Sequence, residues 1–281
     1  RQTDFPNYLI PTQKAAVRNL VTAPPRSSLL VTMPTGSGKS MLFELAASWA
    51  KERVDEKSCI VVVVPTVSLA HAHRTALRTQ ARFAKTEALT GDMAAAEREG
   101  ILRAFRRGEV PILLMNPETA MRSARQTLIQ VTRPLEDRVG ETLGRLATFV
   151  IDEAHVVQSW GRTFRPDFQA LPALVEELRT GDPDLRVLLL SATVDERAME
   201  VLELGYGPLT TVSASVPRYE LQLLARKYAA PAIRDEVLLE AVDRLPRPAI
   251  IYTTTIEDTD LWLKRLRERD YVRIGRMTGD R

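Results

Sequence analysis

Two adjacent acids, Asp152 and Glu153, follow a short apolar segment, residues 149–151, and are the first candidates for chemistry in this chain. The segment has the composition of a buried strand, and open α/β sheets bind their ligands at the carboxyl ends of such strands. One carboxylate there can hold Mg²⁺, while the other can orient or deprotonate an attacking water. Taken alone, the pair fits equally well with a strand that ends in two solvated acids.

A glycine-rich loop upstream favours the chemical interpretation. Residues 33–40 read Met-Pro-Thr-Gly-Ser-Gly-Lys-Ser, between a predicted strand at 28–32 and an amphipathic helix. Glycines let backbone N–H groups converge on phosphate oxygens, and a helix N-terminus adds positive potential. Lys39 would then meet the β- and γ-phosphates, and Ser40 would ligate Mg²⁺. The candidate nucleotide-binding residues of the loop are Thr35, Gly36, Ser37, Gly38, Lys39 and Ser40.

The set of motifs resembles that of superfamily 2 helicases. Residues 152–155, Asp-Glu-Ala-His, match their motif II, and residues 191–193, Ser-Ala-Thr after an apolar strand, match motif III. Residues 158–168 read QSWGRTFRPDF and resemble the aromatic-rich loop of RecQ-type DNA helicases, typically SQWGHDFRPxY. The Trp-Gly, Phe-Arg-Pro and final aromatic positions are kept, whereas the Ser-Gln and His-Asp positions differ.

The resemblance implies that the chain binds ATP with Mg²⁺ and hydrolyses the nucleotide. It assigns Asp152, together with Ser40, to the metal ion, and Glu153 to positioning and polarising the attacking water. The implied catalytic set is Lys39, Asp152, Glu153 and His155. Gln13 follows Pro11 as in the family's motif 0 and would read the adenine edge. Without the resemblance, Gln13 would be an exposed helical glutamine.

The resemblance also assigns several segments to the coupling of hydrolysis to nucleic acid. Residues 65–69, Pro-Thr-Val-Ser-Leu, resemble motif Ia, and residues 116–118, Asn-Pro-Glu, resemble a further DNA-side element. The aromatic residues after motif II would stack on bases at about 1–3 kcal/mol each, or form a packed cluster, with Phe168 in the core. The coupling candidates are Pro65, Thr66, Asn116, Trp160, Arg162, Phe164, Arg165, Ser191, Thr193 and Thr253.

Two other groups of polar residues have less specific interpretations. Arg74, Arg78 and Arg82 are spaced four apart on a predicted helix and would share one face. Such a face can follow phosphates, but it is more typical of a solvated surface. His71 and His73 do not share a helix face, and without a third ligand they do not indicate a metal site.

Length and motif order predict an α/β fold with a complete RecA-like P-loop domain and parallel sheet, residues 1–214, and the start of a second such domain, residues 215–281. The net charge of +3 confines any nucleic-acid surface to a local patch. The single cysteine, Cys59, excludes an internal disulfide and is expected to be a small core residue. Apolar runs far below ~18 residues, and no signal-peptide pattern, lead us to expect a cytoplasmic protein with no membrane partner.

The function expected from the resemblance is ATP-dependent unwinding of DNA or translocation 3′ to 5′ on single-stranded or forked DNA. An alternative is a nucleic-acid-stimulated ATPase that serves as a switch or sensor subunit of a bacterial DNA-processing or defence machine, within a larger protein assembly. An RNA helicase and a binding module with an inactive ATPase are further alternatives. No segment resembles motifs V and VI, so we expect a fragment of a longer protein that is nearly inactive alone.

Overall fold

The computed structural model of this chain describes residues 7–138, 140, 142–159, 166–214 and 224–278, without the side chains of 158 and 159. It forms two compact units, Arg1–Pro217 and Arg218–Arg281. Among the described helices, none combines the length and the hydrophobicity that a membrane span requires.

The first unit is built on a seven-stranded sheet in which the neighbouring strands are parallel. In chain order the strands are β1 (Ser28–Thr32), β2 (Ser58–Val63), β3 (Glu87–Leu89), β4 (Ile112–Met115), β5 (Arg145–Ile151), β6 (Arg186–Ser191) and β7 (Leu209–Ser213). Their order across the sheet is β3-β4-β2-β5-β6-β1-β7. The central strands are apolar at nearly every position because both of their faces are covered. The predicted α/β fold with a parallel sheet is confirmed.

Helices cover both faces of this sheet and enclose two apolar cores. The helices of the first unit are α1 (Pro11–Thr22), α2 (Ser40–Arg53), α3 (Val67–Arg78), α4 (Ala95–Arg106), α5 (Pro117–Met121), α6 (Arg125–Thr132), α7 (Val156–Ser159), α8 (Pro166–Gly181) and α9 (Glu196–Tyr206). One core contains buried residues of α1, α2 and α3, and the other contains those of α4 to α9. The carboxyl ends of the strands therefore open at one edge, between two layers of helices.

The composition of residues 122–145 predicts a polar, helical segment that elaborates the surface, but the segment is α-helical mainly over α6. Helix α6 ends at Thr132 because Pro134 disfavours a helical backbone at the preceding residue, Arg133, which is extended. Leu128 and Val131 of α6 are fully buried in the core. This part of the segment is therefore a component of the domain core rather than the surface elaboration that the sequence suggested.

The second unit contains two helices in its described part, α10 (Pro231–Arg244) and α11 (Ile256–Arg267). The sequence pattern predicts helices over residues 232–245 and 256–269, and both helices lie close to these positions. The pattern also predicts strands over residues 249–252 and 271–276, but neither segment forms a strand with the described part of the chain. Their apolar side chains are largely exposed, and a strand requires a paired neighbour that local composition does not supply. The pattern predicts a third strand over residues 220–225, which lies mostly outside the described residues.

Candidate nucleotide-binding site

Three segments that carry the candidate residues meet at the carboxyl edge of the sheet. The glycine-rich loop leaves β1, the two acids follow β5, and Ser191 ends β6, which lies between β1 and β5. Hydrogen bonds continue beyond the strand ends, from Met33 N to Ser191 O at 3.0 Å and from Ala154 N to Leu190 O at 2.8 Å. Motifs that are far apart in sequence therefore lie side by side at the carboxyl edge of the sheet.

The loop from residue 33 to 40 has the backbone that a phosphate-binding loop requires. Gly36 and Gly38 both have φ of +81°, a left-handed conformation that glycine adopts without steric cost. The Nζ atom of Lys39 donates to Met33 O at 3.0 Å, so the ammonium group folds back over the loop. Ser40 is the first residue of α2. The loop therefore leads into a helix N-terminus, where N–H groups and the helix dipole stabilise a phosphate group.

Gln13 supports this loop from α1. It is buried, with only 2% exposure, so the exposed-glutamine alternative is wrong. Its Oε1 accepts from Leu9 N at 2.7 Å, and its Nε2 donates to Ser37 O at 3.3 Å. A Cβ atom at position 38 would approach Gln13 Nε2 to 2.6 Å, so the side chain packs directly against Gly38. Its contact with adenine stays a prediction.

The two acids occupy different environments after β5. Asp152 is buried, its N–H donates to Val63 O at 2.8 Å, and its Oδ1 accepts from Glu153 N at 3.0 Å. Glu153 has φ of +52°, which costs a residue with a Cβ about 1–3 kcal/mol. Because β5 and the contact to Leu190 fix the chain on both sides, the fold maintains this strain and holds Glu153 in one place. Backbone strain of this kind concentrates at functional sites.

The side chains at this edge fit a magnesium–nucleotide complex. Asp152 provides a carboxylate, and Ser40 provides a hydroxyl beside the phosphate loop. Mg²⁺ prefers such oxygen ligands, and in nucleotide sites it takes one or two from the protein and others from phosphates and water. The donor set is therefore suited to a metal ion that arrives with a nucleotide.

His155 and Ser191 connect the acids to the end of β6. His155 Nδ1 lies 2.9 Å from Ser191 Oγ and 3.4 Å from Glu153 Oε2. Ser191 Oγ donates its single proton to Thr193 O at 2.7 Å, so it accepts the hydrogen of His155 Nδ1. Thr193 takes part through its main-chain carbonyl, and its side chain is exposed. These hydrogen bonds join the two motifs, and the coupling roles of the three residues stay a prediction.

His73 was not predicted to lie at the site. Its Nε2 lies 3.5 Å from Asp152 Oδ2, and its ring packs edge-on against Phe43 with centroids 5.4 Å apart. The helical periodicity of the sequence could have indicated this position, because the apolar residues Ala70 and Leu77 of the same helix are buried. A spacing of three and four residues from these apolar positions predicts that residue 73 faces inward.

The remaining coupling candidates occur in several places. Thr66 Oγ1 accepts from Leu69 N at 3.2 Å, and Asn116 Oδ1 accepts from Thr119 N at 3.1 Å, so both residues cap helices that begin at this edge. Thr66 follows Pro65 directly. In the second unit, Thr253 Oγ1 lies 2.6 Å from Thr259 Oγ1. Trp160, Arg162, Phe164 and Arg165 lie outside the described residues.

Two expectations about single side chains are confirmed. Phe168 has 2% exposure and belongs to the core, as does Cys59, whose burial raises the pKa of its thiol. The expected arginine face is only partly correct. Arg74 and Arg78 form ion pairs with Glu87, which favours the structural interpretation. Arg82 lies beyond the end of α3, in a short 3₁₀ turn at Ala81–Phe83, and so does not share the helix face.

Known proteins resemble this chain at the level of both sequence and fold. The DEAD/DEAH box helicase family matches it over residues 10–201. The chain is 36% identical over 165 residues to the RecQ-like DNA helicase blm-1 of Caenorhabditis elegans, covering 58% of this chain and 15% of that protein. It is 26% identical over 263 residues to the probable ATP-dependent DNA helicase RecS of Bacillus subtilis, covering 90% of this chain and 47% of that protein.

Among solved structures, the DUF1998 helicase MrfA aligns with a TM-score of 0.72 at 17% identity, covering 98% of this chain and 41% of that chain. At this level of identity, the match supports the fold alone. The chain spans less than half the length of the curated relatives described above. The sequence resemblance to RecQ-type DNA helicases is confirmed by the curated relatives.

Proposed function

Because this chain belongs to the DEAD/DEAH box helicase family, we propose that it is the ATP-binding part of a RecQ-like DNA helicase that moves 3′ to 5′ on single-stranded DNA. The observation that carries the proposal is the arrangement at one sheet edge of the phosphate loop, the two acids and the His155–Ser191 hydrogen bond. In this proposal, residues 1–214 form the RecA-like ATP-binding domain. Residues 215–281 form the beginning of a second RecA-like domain.

Each residue at the edge has a role in ATP hydrolysis under this proposal. Lys39 turns from Met33 O to the β- and γ-phosphates and stabilises the charge that develops during transfer. Ser40 and Asp152 hold Mg²⁺, which neutralises charge on the phosphate oxygens when bound. Glu153 orients the attacking water and accepts its proton, in a position fixed by its constrained backbone. Gln13 contacts the adenine edge while it supports the loop at Gly38.

Coupling to DNA uses the groups that surround this centre. His155 links Glu153 to Ser191 and Thr193, because its Nδ1 lies near both the Glu153 carboxylate and the Ser191 hydroxyl. A change at Glu153 during hydrolysis would therefore alter the hydrogen bond to Ser191. The loops capped by Thr66 and Asn116 contact the DNA backbone from the same edge. Within the loop after motif II, Trp160 and Phe164 stack on bases. Further coupling contacts are assigned to Pro65, Arg162, Arg165 and Thr253.

DNA is the preferred substrate because the curated relatives are described as DNA helicases and the QSWGRTF segment resembles the RecQ-type loop. The test is to measure ATP hydrolysis by the complete protein with single-stranded DNA, with single-stranded RNA and without nucleic acid. Strand displacement is then measured on duplexes with a 3′ or a 5′ overhang. We expect stimulation by DNA and displacement only from the 3′ overhang.

Other results of this test would contradict specific parts of the proposal. Stronger stimulation by RNA than by DNA would indicate an RNA helicase. DNA-stimulated hydrolysis without displacement from either overhang would indicate an ATPase that serves as a switch or sensor in a larger assembly. The variant Trp160→Ala separates the two activities: we expect it to lose DNA stimulation while it retains nucleotide affinity. Unchanged stimulation with lower thermal stability would assign Trp160 to packing instead.

A further inference from the structure

His73 is a partly buried histidine next to the acid that we assign to the metal ion. Its side chain is 17% exposed, and that of Asp152 is 8% exposed. The contact between the two side chains is 3.5 Å long, from His73 Nε2 to Asp152 Oδ2. The two residues come from different elements, since His73 belongs to α3 and Asp152 follows β5. Their contact is therefore a tertiary connection between α3 and the acid.

The Nε2 atom of His73 has an unused capacity to form a hydrogen bond. It is buried, and among the described residues no hydrogen bond satisfies it. Leaving a buried polar atom without a partner costs about 1–3 kcal/mol. Asp152 Oδ2 lies 3.5 Å from this atom, which is farther than the 2.7–2.9 Å that is usual for a hydrogen bond to a carboxylate. A movement of under 1 Å would form that bond.

The two oxygens of Asp152 have different partners. Oδ1 accepts the N–H of Glu153 at 3.0 Å, whereas Oδ2 is the oxygen that faces His73. A donor on each oxygen would fix the plane of the carboxylate, which would then present its remaining lone pairs in one direction. Phe43 also contacts the His73 ring, in a perpendicular arrangement that restrains its rotation. The histidine therefore has little freedom to turn away from Asp152.

We propose that His73 is a positioning residue for Asp152, and that its Nε2–H orients the carboxylate toward the Mg²⁺ that accompanies ATP. This inference rests on the proposed function, because the metal belongs to that function. A neutral imidazole carries one N–H group and is sufficient for the role, so no change of protonation is needed. Groups that orient a metal ligand typically change metal affinity by about 10–100-fold when they are removed.

Helix α3 gives this contact a second consequence. The helix is capped at its start by Thr66, which we assign to the DNA-side motif. His73 lies about two turns further along the same helix. A displacement of α3 by DNA would therefore move His73 relative to Asp152, and would change the orientation of the metal-binding carboxylate.

The test measures binding of a fluorescent ATP analogue to the complete protein, with Mg²⁺ and with EDTA in its place. His73→Phe keeps a ring against Phe43 but removes the donor, whereas His73→Gln keeps a donor of similar reach. His71→Ala is the matched control, because residues two apart on a helix do not share a face. Melting temperatures of all the variants are recorded alongside.

We expect His73→Phe to weaken binding with Mg²⁺ by about tenfold and to leave binding in EDTA unchanged. His73→Gln should recover most of the loss, and His71→Ala should behave as the unaltered protein. Binding by His73→Phe that equals that of the unaltered protein with Mg²⁺ would overturn the inference, as would equal losses with Mg²⁺ and with EDTA. If the unaltered protein shows no binding that depends on Mg²⁺, the proposed function itself fails, and the role of His73 with it.

Discussion

Ser191 Oγ and His155 Nδ1 lie 2.9 Å apart, and this hydrogen bond joins the end of β6 to the motif that follows β5. Because Ser191 donates its own proton to Thr193 O, the imidazole must be the donor. The orientation of His155 is therefore set by a serine that belongs to a different motif.

This relationship predicts different effects for two neighbouring substitutions. Ser191→Ala removes the acceptor for His155, which is worth about 1 kcal/mol or about fivefold in rate. We expect DNA-stimulated hydrolysis to fall by that factor while hydrolysis without DNA changes little. Thr193→Ala removes an exposed side chain but keeps the carbonyl that contacts Ser191, so it should be nearly neutral. Equal losses in the two variants would show that the hydrogen bond is not the coupling path.

The two glycines of the phosphate loop should differ in how they tolerate a side chain. Alanine at either position meets backbone strain of about 1–2 kcal/mol, because both have φ of +81°. At Gly36 the added Cβ has open space, whereas at Gly38 it would meet Gln13 Nε2 at 2.6 Å. We expect Gly38→Ala to weaken nucleotide binding more than Gly36→Ala, as measured by fluorescence titration.

The Gly38→Ala defect should depend on Gln13. Combining Gly38→Ala with Gln13→Ala removes the clash, so the loss in nucleotide affinity for the pair should be smaller than the sum of the two single losses. Fully additive losses would mean that Gln13 and Gly38 act independently, and that the loop is not supported by this side chain.

Arg179 provides a stability prediction that is independent of catalysis. This guanidinium is 3% exposed and donates to Arg26 O and Ser28 Oγ at 3.0 Å, with longer contacts to Leu185 O and Tyr206 O. Arg179→Ala removes the donor to the buried acceptors Ser28 Oγ and Leu185 O, at about 1–3 kcal/mol for each acceptor left unsatisfied, whereas Tyr206 O keeps its hydrogen bond from Ser28 Oγ. We expect the free energy of unfolding to fall by at least about 2 kcal/mol, measured by urea unfolding.

A surface arginine serves as the control for this measurement. Arg122 pairs with Asp167 at 3.3 Å, but its side chain is 75% exposed. Exposed pairs contribute about 0–1 kcal/mol, so Arg122→Ala should change the free energy of unfolding by no more than that. A similar loss in both variants would show that burial of Arg179 does not determine its contribution.

The parts of the fold that the sequence predicted are those in which local composition and topology agree. Strands β1, β2 and β4 are short apolar runs, because both faces of a central parallel strand are covered, and such runs are visible without knowledge of their neighbours. The placement of Lys39 and Asp152 at the same edge of the sheet followed from a general rule, since the loops at the carboxyl ends of parallel strands lie along one edge. Motif spacing was therefore enough to place the main candidates together.

The relations that the sequence did not predict depend on contacts between distant segments. Gln13 packs against Gly38, and His73 approaches Asp152, only because helices α1 and α3 take specific positions on the same face of the sheet. The composition of residues 249–252 predicts a strand, yet this segment pairs with no strand in the part of the chain that the structure describes. Composition records the preference of a residue for a pleated surface, but pairing requires a neighbour that lies elsewhere in the chain.

The central claim is that Lys39 and the acids after β5 form one site for ATP hydrolysis. The most direct measurement is the steady-state rate of ATP hydrolysis by the complete protein with Mg²⁺ and single-stranded DNA, for Lys39→Ala and for Lys14→Ala. The Nζ atom of Lys39 donates a hydrogen bond to Met33 O of the loop. Lys14 is an exposed residue of α1 and serves as the control. We predict that Lys39→Ala abolishes hydrolysis with an unchanged melting temperature, whereas Lys14→Ala retains it. Near-normal turnover by Lys39→Ala would contradict the assignment of the site.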